Sequence, residues 1–332
     1  MLSRIAENLY WMGRYIERAE NTSRILDVNY LAIIEAPQVA GARGIVTEKW
    51  APLLDIMESK EEFKEHYKRA DGQNVPYWLA IHPDNAASIR SSLRFARENA
   101  RALRDRISTE MWEAINSSYL ALCVNAPENI EEDALHDYCV AAREASHLFF
   151  GIAHATLPHD LGWYFMRAGQ FLERADNTLR TLIMNLWRSG GRTPVSAGVE
   201  IHRDIALLKS LSAYEAYRKT YDTGLNSRRI YEFLLLSNRF PRSVRYCLEL
   251  LQESLEKIHE ENQNASAQAL QASRSLTQHM AAIKDEAQIS VEESPSMQEL
   301  INQIADLSTT ISSAYFSPEP VTATQTQSQS QS

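Results

Sequence analysis

Turned at 100° per residue, residues 4–34 resolve into one long helix with two faces. Tyr10, Gly13, Glu20, Asn21 and Arg24 fall within about 60° of Glu17, while Leu9, Trp11, Met12, Tyr15, Ile16, Ala19 and Leu26 occupy the other side. Residues 160–187 project the same way. There Gly169, Asp176, Asn177 and Arg180 join Glu173 on one face, and Phe165, Phe171, Leu172, Ala175 and Leu182 lie opposite. Each long helix runs into a Gly/Pro segment, "APQVAGARG" or "SGGRTPVSAG", which predicts a loop. Helical periodicity resumes over roughly 50–71, 75–82, 85–106, 109–122 and 130–154, and no segment sustains strand alternation. Ser3 and Asp160 stand where N-caps of the two long helices belong. The pattern predicts an all-α protein built as an elongated helical bundle.

The two long helices share more than their period. "GRYIERAENTSRIL" (13–26) and "GQFLERADNTLRTL" (169–182) are identical at eight of fourteen positions, an offset of 156. "SIRSSL" (88–93) returns as "SVRYCL" (243–248) at an offset of 155, and Phe63, Tyr67 and Tyr77 fall opposite Tyr217, Tyr221 and Tyr231 at 154. Anchors in the same order at nearly constant spacing predict a tandem duplication. The units are 1–156 and 157–315; the low-complexity tail, 316–332, has little to bury and is expected to be disordered.

A solvated face does not need to keep Gly, Glu, Asn and Arg when Lys, Gln or Ser would serve. Glycine within a helix costs about 1 kcal/mol relative to alanine, so its presence in both copies predicts a close backbone approach. The face is therefore expected to be covered. Its candidates are Glu17, Arg18, Asn21 and Arg24 in the first copy and Glu173, Arg174, Asn177 and Arg180 in the second. They would form either a satisfied polar network between helices or a ligand site that uses the same groups. Arg18 and Arg174 lie at the border of the two faces, where a bidentate guanidinium would clamp a carboxylate from a neighbouring helix or a ligand.

A second pattern is confined to the first unit. Arg90, Arg94, Arg97, Arg101 and Arg104 are spaced 4, 3, 4 and 3, one strip of one helix. Like charges so placed repel unless something anionic faces them. The candidates are the protein's own Glu17, Glu20, Glu173 and Asp176, an external phosphate or carboxylate, or an acidic partner. The second unit keeps Arg245 but reads "ELLQESLEKIH" where the first has "RFARENARALR", which predicts one functional copy and one that completes the architecture.

Charge and composition narrow the field. A net charge of −9 argues against nucleic acid as partner. The longest apolar stretch, around "HLFFGIAHATL", falls far short of the roughly 20 residues that span a bilayer. Cys123, Cys139 and Cys247 lie far apart without CxxC spacing, which predicts buried thiols and a cytoplasmic protein. Di-iron chemistry wants Glu-x-x-His, and Glu17-x-x-Glu20 and Glu173-x-x-Asp176 lack the histidine. His147 and His154, seven apart, are about 10 Å distant along a helix and cannot share a zinc; with His159 they are expected to play hydrogen-bonded structural roles or to line a pocket. No phosphate-binding loop, dinucleotide fingerprint, nucleophile elbow or HExxH motif is present. The reading therefore assigns no cofactor, no metal and no reaction.

"ERAENT" and "ERADNT", the run "ARENARALRDRIS…MWEAIN" and "ASHLFFGIAHATLPHDLGWYFMRAGQFLERADNT" together resemble the Alpha-E family, a bacterial all-helical domain named for its Glu-Arg motif. The resemblance covers nearly the whole chain except the tail and places the Glu-Arg pairs at Glu17–Arg18 and Glu173–Arg174. It implies association with ATP-grasp ligases, transglutaminase-like proteins and an amidohydrolase-type peptidase, and so a peptide synthesis or modification system. Within it this chain is expected to bind the ligase or its carboxylate substrate. The alternatives are an enzyme acting on amides or acyl phosphates, with Glu17 or Glu173 as acid/base and Arg18, Arg97 or Arg101 as anion clamp, or a homodimeric scaffold.

Overall fold

Two long helices carry the repeated segments: α1 (Ser3–Glu35), of 33 residues, and α8 (Leu161–Ser189), of 29. They lie side by side in a computed structural model that describes residues 3–35, 43–125, 132–189, 197–222, 224–261, 267–283 and 294–316. Between them come α2 (Arg43–Ile56), α3 (Lys60–His66), α4 (Asn74–Ala80), α5 (Ile89–Ala102), α6 (Thr109–Tyr119) and α7 (Glu132–Thr156). After α8 follow α9 (Ala197–Ser210), α10 (Tyr214–Thr220), α11 (Ser227–Leu236), α12 (Val244–Glu261), α13 (Gln268–Ala282) and α14 (Ser294–Tyr315). Among the described residues there is no strand, so the class is all-α. The expected disordered tail and most of the two Gly/Pro segments lie outside the described residues.

α1 packs against α5, α7 and α8, and α8 against α1, α12 and α14, which makes the pair the spine of the molecule. Burial follows from that position. Leu9, Met12, Ile16, Ala19 and Leu26 are buried as the pattern requires, and so are Tyr10, Glu17, Glu20 and Asn21 on the opposite side. The helix has no solvated face over this stretch, because α8 covers the polar one.

The glycines explain how closely. A Cβ at Gly13 would lie 2.2 Å from the carbonyl oxygen of Met166, and one at Gly169 would lie 2.0 Å from that of Tyr10. Both approaches are to backbone, which cannot move aside as a side-chain tip can. Contacts climb both helices together, from Tyr10 against Gly169 to Arg18 against Glu173, so the helices run parallel.

Several element boundaries differ from the periodicity. The expected helix over 50–71 is broken after Ile56, where Glu58 adopts φ 49° and Ser59 N–H reaches back to the Leu54 carbonyl at 3.0 Å. That is a left-handed helix stop, with a non-glycine residue where glycine is usual. Ser212, φ 52°, ends α9 in the same way, with Ala213 N–H on the Leu208 carbonyl at 2.7 Å. The helix expected over 85–106 contracts to α5, because Ser88 caps it through the Ser91 amide at 3.1 Å and Leu103 leaves it. Ser3 begins α1 as a helical residue, while Asp160 caps α8 as expected, accepting from Gly162 N–H at 2.8 Å.

Candidate functional site

The facing polar rows of α1 and α8 pair crosswise. Arg174 donates Nε to Glu17 Oε1 at 2.7 Å and Nη2 to Glu17 Oε2 at 2.6 Å. Reciprocally, Arg18 donates Nε to Glu173 Oε1 at 2.6 Å and Nη2 to Glu173 Oε2 at 3.1 Å. Each Glu-Arg motif thus hands its carboxylate to the other's guanidinium, in the two-pronged geometry that only arginine offers. Glu17 is 0% and Glu173 3% exposed, so these are interior ion pairs.

Around Glu17 the network is closed by Arg242, which stands just before α12. Its Nη1 donates to Asn21 Oδ1 at 3.1 Å and lies 3.4 Å from Glu17 Oε1, and its Nη2 donates to Glu20 Oε1 at 2.7 Å. Asn21 Nδ2 donates to Glu17 Oε1 at 3.3 Å, and Arg24 Nε to Glu20 Oε1 at 3.0 Å. Burial pushes the Glu20 carboxyl up, but Arg242, a hydrogen bond from His147 and Arg24 outweigh it and hold it well below its ordinary value.

Around Glu173 the second cation comes from Arg14, whose Nε donates to Oε2 at 2.8 Å and whose Nη1 reaches Ser308 of α14 at 2.8 Å. Burial opposes ionisation here too, yet Arg18 and Arg14 together hold the Glu173 carboxyl down at about 2. Asp176 fares differently. Burial raises it, and the Arg180 Nε bond to Oδ2 at 2.8 Å offsets this only in part; Oδ1 is buried without a partner in the protein.

Beside this second network lies a cavity of about 230 Å³. Arg18, Glu173, Asp176, Asn177 and Arg180 line it from the helix pair, Glu58, Ser59 and Glu62 from the turn after α2 and from α3, and Asn85 to Ala87 from the loop before α5. Asn177 is 7% and Ser59 2% exposed, and neither Asn177 Nδ2 nor Ser59 Oγ has a hydrogen-bond partner in the protein. Glu20 Oε2 is likewise unpaired on the Glu17 side, but there Asn21 engages both its polar atoms. The left-handed Glu58 projects its carboxylate to Arg180, so a strained turn contributes to the cavity wall.

Of the sequence candidates, Glu17, Arg18, Asn21, Arg24, Glu173, Arg174, Asn177 and Arg180 all meet at this interface. The arginine strip does not. No ion pair among the described residues joins it to Glu17, Glu20, Glu173 or Asp176, the partners the sequence proposed within the chain. Arg97 instead bonds Asn116 Oδ1 at 2.9 Å and Glu98 at 2.8 Å and lies over Tyr119, Arg101 pairs with Glu98, and Arg104 lies over Trp112 beyond the end of α5. Arg97 and Arg104 thus face α6, whose aromatic rings accept cations on their faces, while Arg94 lies over Phe95 of its own helix. The three histidines form no single group: His147 sits 3.5 Å from Glu20, while His154 and His159 pack against each other and against Trp163.

Arg14 and Arg242 are the members that pattern reading missed. Arg14 lies next to Gly13 but has no counterpart arginine, since Gln170 occupies the matching position in the second Glu-Arg segment. Arg242 precedes the helix-capping Ser243 as Ala87 precedes Ser88, so aligning "SIRSSL" with "SVRYCL" marks it as a place where the two segments' surroundings differ. Among the described residues one further group has metal-ligand chemistry, His66, His82 and Asp84, whose ligand atoms lie within 4.8 Å of one another. All three cysteines are buried and free.

Fold and interface together define a class: an all-helical protein whose two central helices are locked by crossed Glu-Arg pairs. Residues 1–316 match Alpha-E, described as a predicted alpha-helical domain with a conserved ER motif, and the chain belongs to that family. It is 27% identical over 270 residues to an uncharacterised protein of Mycobacterium bovis, and 26% identical over the same length to one of Mycobacterium tuberculosis H37Rv. These matches cover 77% of this chain and 30% of each relative, so the chain spans less than a third of the length of the curated relatives it matches. No solved structure matches. No described helix is long and apolar enough to cross a membrane.

Proposed function

We propose that this protein is a binding component of a peptide synthesis or modification system. It would hold a polar group in the cavity beside Glu173 and present it to a partner enzyme, the ATP-grasp-type ligase that family resemblance implies. The observation that carries this reading is the cavity, which has among its lining residues Asn177 and Ser59, each with a buried polar atom that no protein group pairs. Buried polar atoms are normally paired, and unpaired ones gathered at one cavity point to something that pairs them.

The same geometry favours binding over acid–base catalysis by Glu173. A general acid or base works best near the operating pH, and a carboxyl held at about 2 by two arginines is a permanent anion. The reciprocal packing of α1 and α8, at a register of 156 residues, supports reading the halves as copies of one unit. Three free, buried thiols are consistent with a reducing, cytoplasmic setting.

Co-purification with an ATP-grasp-type ligase from the source organism tests the partnership. A stable complex is expected. Arg101, 65% exposed along its side chain, and Arg104 are the natural docking charges, so Arg101→Glu/Arg104→Glu should weaken the complex most at low salt. Failure to co-purify, with no change in ligase activity on adding this protein, would remove the partnership.

A further inference from the structure

The two crossed networks are near-copies that differ at two positions, Arg14 against Gln170 and Ala87 against Arg242, and the second difference coincides with the cavity. Ser88 and Ser243 cap α5 and α12 identically, each accepting from the amide three residues on. Each also donates its own amide to the carbonyl three residues back, that of Asn85 or Phe240. The residue before the cap is Ala87 in the first copy and Arg242 in the second. Arg242 fills the space beside Glu17, Glu20 and Asn21 with its guanidinium. Ala87 stops at Cβ, and the corresponding space beside Glu173, Asp176 and Asn177 is the cavity.

We propose that this cavity is a receptor for a guanidinium group, carried by a small molecule or by an arginine side chain of a peptide, which takes the place that Arg242 takes on the other side. Four carboxylates, Glu58, Glu62, Glu173 and Asp176, line it against two guanidinium groups, Arg18 and Arg180; with Arg14 also on Glu173, one negative charge is left in excess, which favours a cation. Its volume is many times the roughly 15 Å³ that one water requires, enough for a planar head and part of its stem. The acceptors match those that Arg242 uses: a glutamate at 17 or 173, an acid at 20 or 176, an asparagine amide at 21 or 177. The Asn177 amide, whose nitrogen has no partner, can turn to offer its oxygen as Asn21 does. The inference rests on the cavity as a ligand site and is independent of any ligase.

Calorimetry on the full chain with agmatine, with the tripeptide acetyl-Gly-Arg-Gly-amide and with glutarate tests it. Agmatine or the tripeptide should bind saturably, the tighter of the two identifying a free molecule or a peptide as the source, and glutarate should not bind. Asp176→Asn should weaken the guanidinium probe by at least about tenfold, as expected for loss of a charged acceptor. Ala87→Arg should abolish binding while raising the melting temperature, because an internal guanidinium then occupies the site. No saturable binding of either guanidinium probe, equal binding of glutarate, or full affinity retained in Asp176→Asn would overturn the proposal. If Ala87→Arg does not fold, Asp176→Asn still decides. A positive result without ligase co-purification would keep the site and discard the partnership.

Discussion

Glu17 shows what a buried charge does when its partners are fixed on other helices. It accepts from Arg174, Arg242, Asn21 and Gln170, which come from three separate parts of the chain. A buried ion pair is weak evidence for net stability, because desolvation of both ions opposes their attraction; removing one partner alone is far more costly. Glu17→Ala would strand Arg174 and Arg242 in the interior and should destabilise the protein by about 3–5 kcal/mol, measured by chemical denaturation. Replacement of Glu17 and Arg174 together by residues of matched shape should recover much of that loss, and a double mutant no more stable than the single would contradict the crossed pairing. The arginine at 174 cannot be exchanged for lysine without cost, since lysine offers no fork to span both carboxylate oxygens.

The helix pair depends on two hydrogens. At Gly13 and Gly169 the chains approach so closely that any Cβ would overlap a carbonyl oxygen of the opposite helix. Within an isolated helix Gly→Ala would stabilise by about 1 kcal/mol. Here the sign reverses: Gly169→Ala must push α1 and α8 apart and lengthen the ion pairs at Glu17 and Glu173. A destabilisation on the order of 3 kcal/mol is expected, at the upper end for overpacking. Thermal denaturation of Gly13→Ala and Gly169→Ala checks this, and either variant being as stable as the parent would show that the pair is not held at this distance. The strip on α5 behaves in the contrary manner. Arg97 and Arg104 lie over α6 rings, Arg97 and Arg101 pair with Glu98, and Arg94, Arg101 and Arg104 remain exposed.

At the scale of the molecule the interior carboxylates set the acid limit. Glu20 and Glu173 both have folded pKa values below their usual value of 4.5, so the folded state binds protons less readily than the unfolded chain. Their contribution is fully present above about pH 4.5 and is lost as pH falls toward the folded values. For Glu173, lowered to about 2, the loss amounts to about 3 kcal/mol. Asp176 has the opposite sign. Its folded pKa is raised, so its ionisation slightly favours unfolding as pH rises through the folded value, and a bound cation would remove that penalty. The melting temperature should therefore fall steeply between pH 4.5 and 2, and the fall should be shallower in Glu173→Gln. An unchanged slope in that variant would assign acid sensitivity elsewhere.

The chain alone determined a good deal of this. The 3.6-residue period fixed the helical class, and the retained Gly, Glu, Asn and Arg in two segments marked a face that had to be covered, because residue types that a solvated surface does not require were kept in both. Helix ends were less legible, since a left-handed stop at Glu58 or Ser212 uses residues with no turn signature. Sequence could not say which charges would meet. Arg97 and Arg101 had the better spacing, yet Arg174, Arg18, Arg14 and Arg242 supply the cations, because pairing depends on where separate helices bring their side chains in space. The cavity, too, was decided by tertiary structure: Ala87 and Arg242 differ by one side chain in the sequence, and only the packing of α5 and α12 against the central pair turns that difference into an open site on one side and a filled one on the other.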